Sequence, residues 1–411
     1  MGQGLPTPPL QGVKVLDLGQ IYNGPYAGFL LAHGGADVVK VEPLGGEALR
    51  KRGGLGVPLS FSALNTNKRG IAIDLKTEGG KVLLIDLVKQ ADILLENFAP
   101  GAMDRLGVGP DVLMDANQRL IYASGTGYGL TGPDKDNLAM DLTVQAVGGV
   151  MGINGPADGP PLKTGLAICD FLGGVHLYSA IVTALYERSV TGQGRLVEVA
   201  MQEALYPALA SNVAGMHNNG WKQPKRRGNR HPTRGSAPYN VYECADGHIA
   251  IICVNEGHWT NLLDVIGRQE LADDPRFATQ AMRAQHEDDV DAALAPWLRE
   301  RSKYDIAATL KENRIPAAPV RDLLEVTADV HMHERGMLHD VDHPEMGKVV
   351  LPSSPLRFAG GAPPVLQLEP DIGEHTDIIL SDWLGMNEMA IVALEAEGVI
   401  GRKGQRDIER H

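Results

Sequence analysis

Asp170 is an acid set inside apolar sequence, and its neighbours allow it to do chemistry. It follows a Gly- and Pro-rich turn (154–161) and the short apolar run 165–169 (GLAIC), and it precedes Gly173, Gly174 and an apolar pattern that continues to Arg188. Val175, Tyr178, Ile181, Val182, Leu185 and Tyr186 recur at steps of three and four, which predicts a helix that buries one face. The helix dipole favours an acid at the start of such a helix and can hold it as a carboxylate. Two roles fit these facts. Asp170 is an N-terminal cap, or it is a nucleophilic carboxylate to which Gly173 and Gly174 leave a substrate close access. Spacing alone leaves both open.

The elements that must hold this residue alternate between strand and helix. Residues 13–18 (VKVLDL) read as a buried strand, 19–24 as a turn, Pro25 as the opening of a helix to His33, and 37–42 (DVVKVE) as a second strand. This is a strand, helix, strand unit of the parallel type. Further strand patterns at 67–74, 91–96, 120–124 and 195–199 alternate with helix patterns, including 77–89 and a helix carrying Arg105. The fold expected is α/β: a large, open, mostly parallel Rossmann-like sheet that takes ligands at the carboxyl ends of its strands, plus a smaller α+β domain. The first turn, GQIYNGPYAG, has neither the GxGxxG order of a dinucleotide site nor the GxxxxGK[ST] order of a P-loop.

Helix patterns continue at 137–149 and 202–216. The segment 218–234 is then rich in Asn, Gly, Pro, Lys and Arg, and its cluster Lys222, Lys225, Arg226, Arg227, Arg230 and Arg234 is either a solvated loop or a patch for an anionic ligand. The domain division expected is 1–217 for the large domain, 218–235 for a linker and 236–326 for a small domain with a hairpin at Asp246-Gly247. A return linker at 327–353 and a segment at 354–411 that packs back on the large domain complete it, with a frayed tail from Gly401.

Composition narrows the function classes. With 38 basic and 51 acidic residues the formal charge is −13, which gives no general attraction to nucleic acid or to an anionic membrane. Three scattered cysteines in apolar sequence have neither zinc spacing nor a disulfide framework. The N-terminus lacks the pattern of a secretory signal and no run approaches the length of a membrane span, so a cytoplasmic protein is expected. His331, His333, His339 and His343 invite a metal reading. The two-residue spacing of the first pair suits a strand better than a zinc helix, and no metal site is expected.

The runs NKRGIAIDLKT (67–77), ENFAPGAMDRLG (96–107) and KTGLAICDFLGGVHL (163–177) closely resemble the family III CoA-transferases. GNRHPTRGSAPYNVYECADGHIAI (228–251), NRIPAAPV (313–320), SPLRF (354–358) and GEHTDIIL (373–380) extend the likeness over most of the chain. The resemblance implies that Asp170 is the nucleophile of a CoA transfer from an acyl-CoA donor to a carboxylic acid acceptor. It implies no tightly bound cofactor and a homodimer of two interlocked chains. It also carries over Tyr22, Ile73, Lys76, Asn97, Phe98 and Arg105 as contacts to CoA, with Lys76 and Arg105 toward phosphates. Formyl-CoA transferase has a glutamine at the position of Tyr22, a lysine at that of Ala139, and a glycine run that is absent before Tyr239 here. The donor and acceptor acids therefore stay open. Acyl-CoA racemases related to the family carry Gly-His-Asp where this chain has Ala139, Met140 and Asp141, and methionine cannot move a proton at neutral pH. Glu256 falls where the racemases have a glutamate. A racemase and a non-catalytic CoA-binding protein are the alternatives.

Overall fold

The strand patterns of the N-terminal half pair into one sheet in the computed structural model, which describes residues 7–52, 58–233, 235–360 and 365–403. Six strands, β1 (Lys14–Asp17), β2 (Asp37–Glu42), β3 (Arg69–Ile73), β4 (Ile93–Glu96), β5 (Ile121–Thr126) and β6 (Arg195–Ala200), run parallel in the order β3-β2-β1-β4-β5-β6. The two-residue strand Ile400–Gly401 pairs antiparallel with β3 at its free edge. Val15, Val38, Ile93, Ile121 and Leu177 pack on one face of the sheet, and Leu16, Val39, Ile71, Leu94 and Tyr122 on the other. Burial on both faces is why these strands read as continuous apolar runs.

The chain forms two units. The first comprises 1–148, 166–206 and 329–411, and the second 149–165 and 207–328. Residues 149–165 and 207–217 therefore belong with the second unit, whereas the sequence division put them with the large domain. Each segment leaves a first-unit helix at a local break: Gly149 at φ +89°, and the single 3-10 turn Tyr206–Leu209 that interrupts the expected 202–216 helix.

The second unit contains the antiparallel sheet β7 (Tyr239–Cys244), β8 (Gly247–Ile252) and β9 (Ala317–Pro319), packed on Trp259, Leu262, Leu294 and Leu310. In the first unit, a further hairpin pairs β10 (Leu338–His343) with β11 (Gly347–Pro352). His331 and His333 sit on a short helix, Val330–Glu334, rather than on a strand. Asp329 starts that helix by accepting from the backbone N–H of His331 and Met332. His343 is on β10, where its Nε2 lies 2.8 Å from Glu369. Among the described residues, no three His, Cys, Asp or Glu side chains group as metal ligands.

The helix of Asp170 spans Ile168–Thr191 and packs against the helix Asn23–His33 and against β5 and β6. Its buried stripe is Gly173, Gly174, Leu177, Ile181, Ala184 and Arg188, flanked by the partly buried Tyr178, Val182 and Leu185. Val175 and Tyr186, which the periodicity had placed in the buried face, are 39% and 75% exposed. The stripe is shifted because the two glycines mark the line of closest approach. A β-carbon at Gly174 would lie 2.7 Å from the Asn23 carbonyl oxygen. Gly174 thus lets the two helices pack closely, and Gly173 makes room for the Asn23 side chain. By length and composition alone this helix could cross a membrane, with a mean hydropathy of 1.5, contrary to the sequence expectation of no such run; here it forms part of the first unit's core.

Candidate active site

In the order β3-β2-β1-β4-β5-β6 the chain reverses direction of travel between β1 and β4, and an open parallel sheet binds its ligands outside the strand ends at such a point. A cleft of about 430 Å³ lies there. It is lined from the loop after β1 (Gln20, Ile21) and the helix start at Asn23, the loop after β4 (Asn97 to Pro100, with Arg105) and the end of β5 (Gly125 to Gly127). Residues 135–141, Asp170 and Met201 complete it.

The loop after β1 is held from beneath by buried charge. Asp17, at the end of β1, accepts from Lys68 Nζ at 2.7 Å and from the backbone N–H of Gly19 at 2.8 Å. Lys40 Nζ donates to the Gly19 carbonyl and lies 3.5 Å from Glu47, which accepts from the backbone N–H of Ile21 at 3.0 Å. Glu42 takes a two-pronged contact from Arg50 and accepts from the backbone N–H of Glu47. Burial would push the Asp17 carboxyl up, but Lys68 and Lys40 outweigh it and hold it below its usual value. Burial likewise pulls Lys68 down to about 8, with Asp17 opposing. These anchors hold Ile21 at φ +64°, a left-handed conformation that costs a β-branched residue on the order of 1–3 kcal/mol. From the opposite side Asn97 clamps the same loop, accepting from Gln20 N–H at 2.7 Å and donating to Gln20 O at 2.9 Å.

Asp170 lies in the first turn of its helix, inside the helix and not at its cap, which is Ala167. The capping is done from a distance by Asp141, first residue of the helix Asp141–Val147. Its Oδ1 accepts from the backbone N–H of Cys169 at 2.8 Å and of Asp170 at 3.4 Å, and its Oδ2 accepts from Gln145 at 2.6 Å. Two carboxyl groups therefore share one helix N-terminus. Burial, then Asp141, raise Asp170 to about 7, against a smaller opposing pull from Arg52. Burial and a like charge both disfavour the ionised form of this carboxyl. The neighbouring Cys169 thiol is fully buried and pushed up to about 12, which keeps it out of nucleophilic chemistry near neutrality.

Of the residues assigned to CoA, Asn97, Phe98 and Arg105 line the same cleft as Asp170. Tyr22 is beside it through Phe171, with the rings stacked 6.0 Å apart. Ile73 and Lys76 lie at the carboxyl end of β3, outside the cleft lining. Ile73 is 1% exposed within the core, so its side chain offers no surface to a ligand, while Lys76 is exposed. Two arginines of the basic loop in the second unit are ion-paired, while Lys222 and Lys225 are exposed. Arg227 pairs with Glu287, and Arg230 with Glu287, Asp288 and Asp291, while Arg226 donates to the Pro156 and Gly159 carbonyls. The acidic start of the Glu287–Arg299 helix draws in Arg227 and Arg230, so those two guanidinium groups are not free for an anion. Arg234 lies outside the described residues. Glu256, also in the second unit, is held by Arg283 at 2.8 Å and by the backbone N–H of Gln280. The hydrogen bond from Arg283 lowers its pKa and so keeps it from accepting a proton readily. Sequence reading missed Arg52, Lys135 and Asn23 near Asp170, since each comes from a segment with no chemical motif of its own.

Comparison with known proteins agrees with this geometry. Residues 10–376 match CoA-transferase family III. The chain is 36% identical to a formyl-CoA:oxalate CoA-transferase of Streptomyces avermitilis, with 96% of this chain and 100% of the relative covered. It is 33% identical to a succinyl-CoA–D-citramalate CoA-transferase of Chloroflexus aurantiacus, covering 97% and 100%. The crystal structure of a CaiB/BaiF family protein from Brucella suis superposes with a TM-score of 0.82 at 34% identity, over 91% of this chain and 99% of that one. With its parallel sheet, its cleft at the β1/β4 reversal and an aspartate at the cleft wall, this chain belongs to CoA-transferase family III and is an enzyme that moves CoA between acyl-CoA thioesters and carboxylic acids.

Proposed function

We propose that the transfer runs through covalent intermediates on Asp170. The observation that carries this reading is the setting of that carboxyl: it faces the cleft, is short of solvent, and is paired with Asp141, another acid, rather than neutralised by a salt bridge. Asp170 attacks the donor thioester carbonyl and expels CoA thiolate, leaving a mixed anhydride. The thiolate then attacks the aspartyl carbonyl, giving an aspartyl-CoA thioester and freeing the donor acid. The acceptor acid reverses these steps, so each bond broken is replaced by an equivalent one and no redox partner is needed.

CoA would enter with its acyl end at Asp170 and its nucleotide toward Asn97, Phe98 and Arg105. Tyr22, Lys76 and the backbone of Ile73 would lie farther along. Oxalate and citramalate, named for the two relatives above, are both small dicarboxylic acids, and we place one substrate of this chain in that class. A racemase reading is weakened by Met140, which lines the cleft where proton transfer would need a base. We infer a cytoplasmic, interlocked homodimer. Leu138, Leu142 and Val147 near the cleft and Val175, Tyr186 and Val190 on the Asp170 helix are exposed apolar residues that a second chain would cover.

Incubation with formyl-, acetyl- or succinyl-CoA alone, followed by hydroxylamine, should convert Asp170 to a hydroxamate found in the peptide spanning 165–188. Asp170→Asn should abolish both the adduct and transfer, while CoA binding survives. Competent turnover with the label confined to another peptide would reject Asp170 as the nucleophile.

A further inference from the structure

Asn23 is the first residue of the helix that packs on the Asp170 helix, and it lines the cleft. It is 2% exposed, yet neither its Nδ2 nor its Oδ1 has a hydrogen-bond partner. A buried amide left in that state costs about 1–3 kcal/mol, so it has hydrogen-bonding capacity to offer a group that enters the cleft. Its surroundings have been cleared for it by two glycines. A β-carbon at Gly125 would lie 2.6 Å from Oδ1, and one at Gly173 would collide with Nδ2. Gly173 is three residues beyond Asp170, on the same side of the helix, so the Nδ2 end of the amide faces the helix surface that carries the nucleophile. Leu177 lies beside Gly125, and Met201 beside Gly173.

We infer that the Asn23 side-chain amide donates a hydrogen bond to the acyl oxygen while Asp170 reacts. The inference rests on the covalent transfer reading above. As an Asp170 oxygen forms its bond to the thioester carbonyl carbon, the π pair of that carbonyl moves onto oxygen, and Nδ2–H meets the charge. When the carbonyl re-forms, the C–S pair leaves on the CoA sulfur and the hydrogen bond weakens again. To donate, the amide turns about its side-chain torsions toward the cleft, and it has no existing hydrogen bond to give up. A donor that strengthens its interaction as charge develops lowers the barrier rather than merely tightening ground-state binding.

The test is single-turnover acylation of Asp170 by formyl-, acetyl- and succinyl-CoA, quenched with hydroxylamine. Asn23→Ala should slow acylation by about 10²–10³-fold, the loss usual for one oxyanion donor, with the dissociation constant of free CoA unchanged within about twofold. Asn23→Asp keeps the size but removes the donor and should be at least as slow, whereas Asn23→Ser, with a hydroxyl donor, should recover part of the rate. Acylation by Asn23→Ala at the wild-type rate would overturn the inference while leaving the Asp170 mechanism intact. Loss of CoA binding and of thermal stability in step with rate, in all three variants, would make Asn23 structural and overturn it too. Absence of any Asp170 adduct in the wild type, despite turnover, would instead reject the covalent reading and this inference with it.

Discussion

Asp17 is fully buried beneath the loop after β1 and Asp170 is half-buried in the cleft wall of the same unit, and their environments drive them in opposite directions. Asp17 sits among Lys68 and Lys40 and is held ionised. Asp170 sits with Asp141 and is lifted to about 7. Desolvation acts on both in the same sense, so the sign of the neighbouring charge decides the outcome. A carboxylate whose charge is neutralised by a lysine is spent on structure and fixes the loop at Gly19–Ile21. One whose neighbour is another acid is left without that neutralising partner.

Breaking the Asp17 side of this contrast should have the largest effect on stability. Lys68→Met leaves Asp17 buried without its direct partner, and removing one member of a buried pair typically costs about 3–5 kcal/mol. Urea unfolding should register that loss, and activity should fall with it as the Gly19–Ile21 loop loosens. A loss under about 1 kcal/mol would show that Lys40 suffices. The Asp170 side is sharpened by Asp141→Asn, which removes the like charge but retains an oxygen to accept from Cys169 N–H. The pH at which Asp170 acylation is half-maximal should fall from about 7 toward the ordinary carboxylate range. An unchanged pH profile would assign the raised value to burial alone.

The smallest effect concerns stability against pH. The folded-state pKa of Asp170 is raised, so its contribution favours folding at low pH and is lost as pH rises through about 7, where the buried carboxylate must be charged. Asp170→Asn removes that penalty. It should therefore stabilise the protein more at pH 8.5 than at pH 5.5, with a difference on the order of 1 kcal/mol, read from unfolding midpoints at the two pH values. An equal effect at both would mean that Asp170 titrates normally in the folded chain.

Much of the scaffold could be read from the chain itself. Runs such as VKVLDL and ADILLE specify buried strands because their apolar residues pack on both faces of a sheet, and their alternation with helices leaves the parallel α/β arrangement as the simple solution. Asp170 could be picked out because a charge inside apolar sequence is visible without coordinates. Its state could not. The carboxyl that caps its helix, Asp141, is 29 residues away, and the backbone contact exists only once two helices pack. The roles of Gly173 and Gly174 likewise depended on Asn23 and Tyr26, from a helix some 150 residues earlier, and not on their own neighbours in the chain. The arginines at 227 and 230 looked free in sequence, and the carboxylates that neutralise them, Glu287 to Asp291, come from a helix some 60 residues on. Sequence by itself determined what depends on periodicity and on residue type, the strands and the sheet class, and it marked Asp170 as either a cap or a nucleophile, a choice that only the family resemblance tipped. Tertiary structure alone decided which charges face one another, because electrostatic energy and desolvation depend on separation in space, which chain order does not encode.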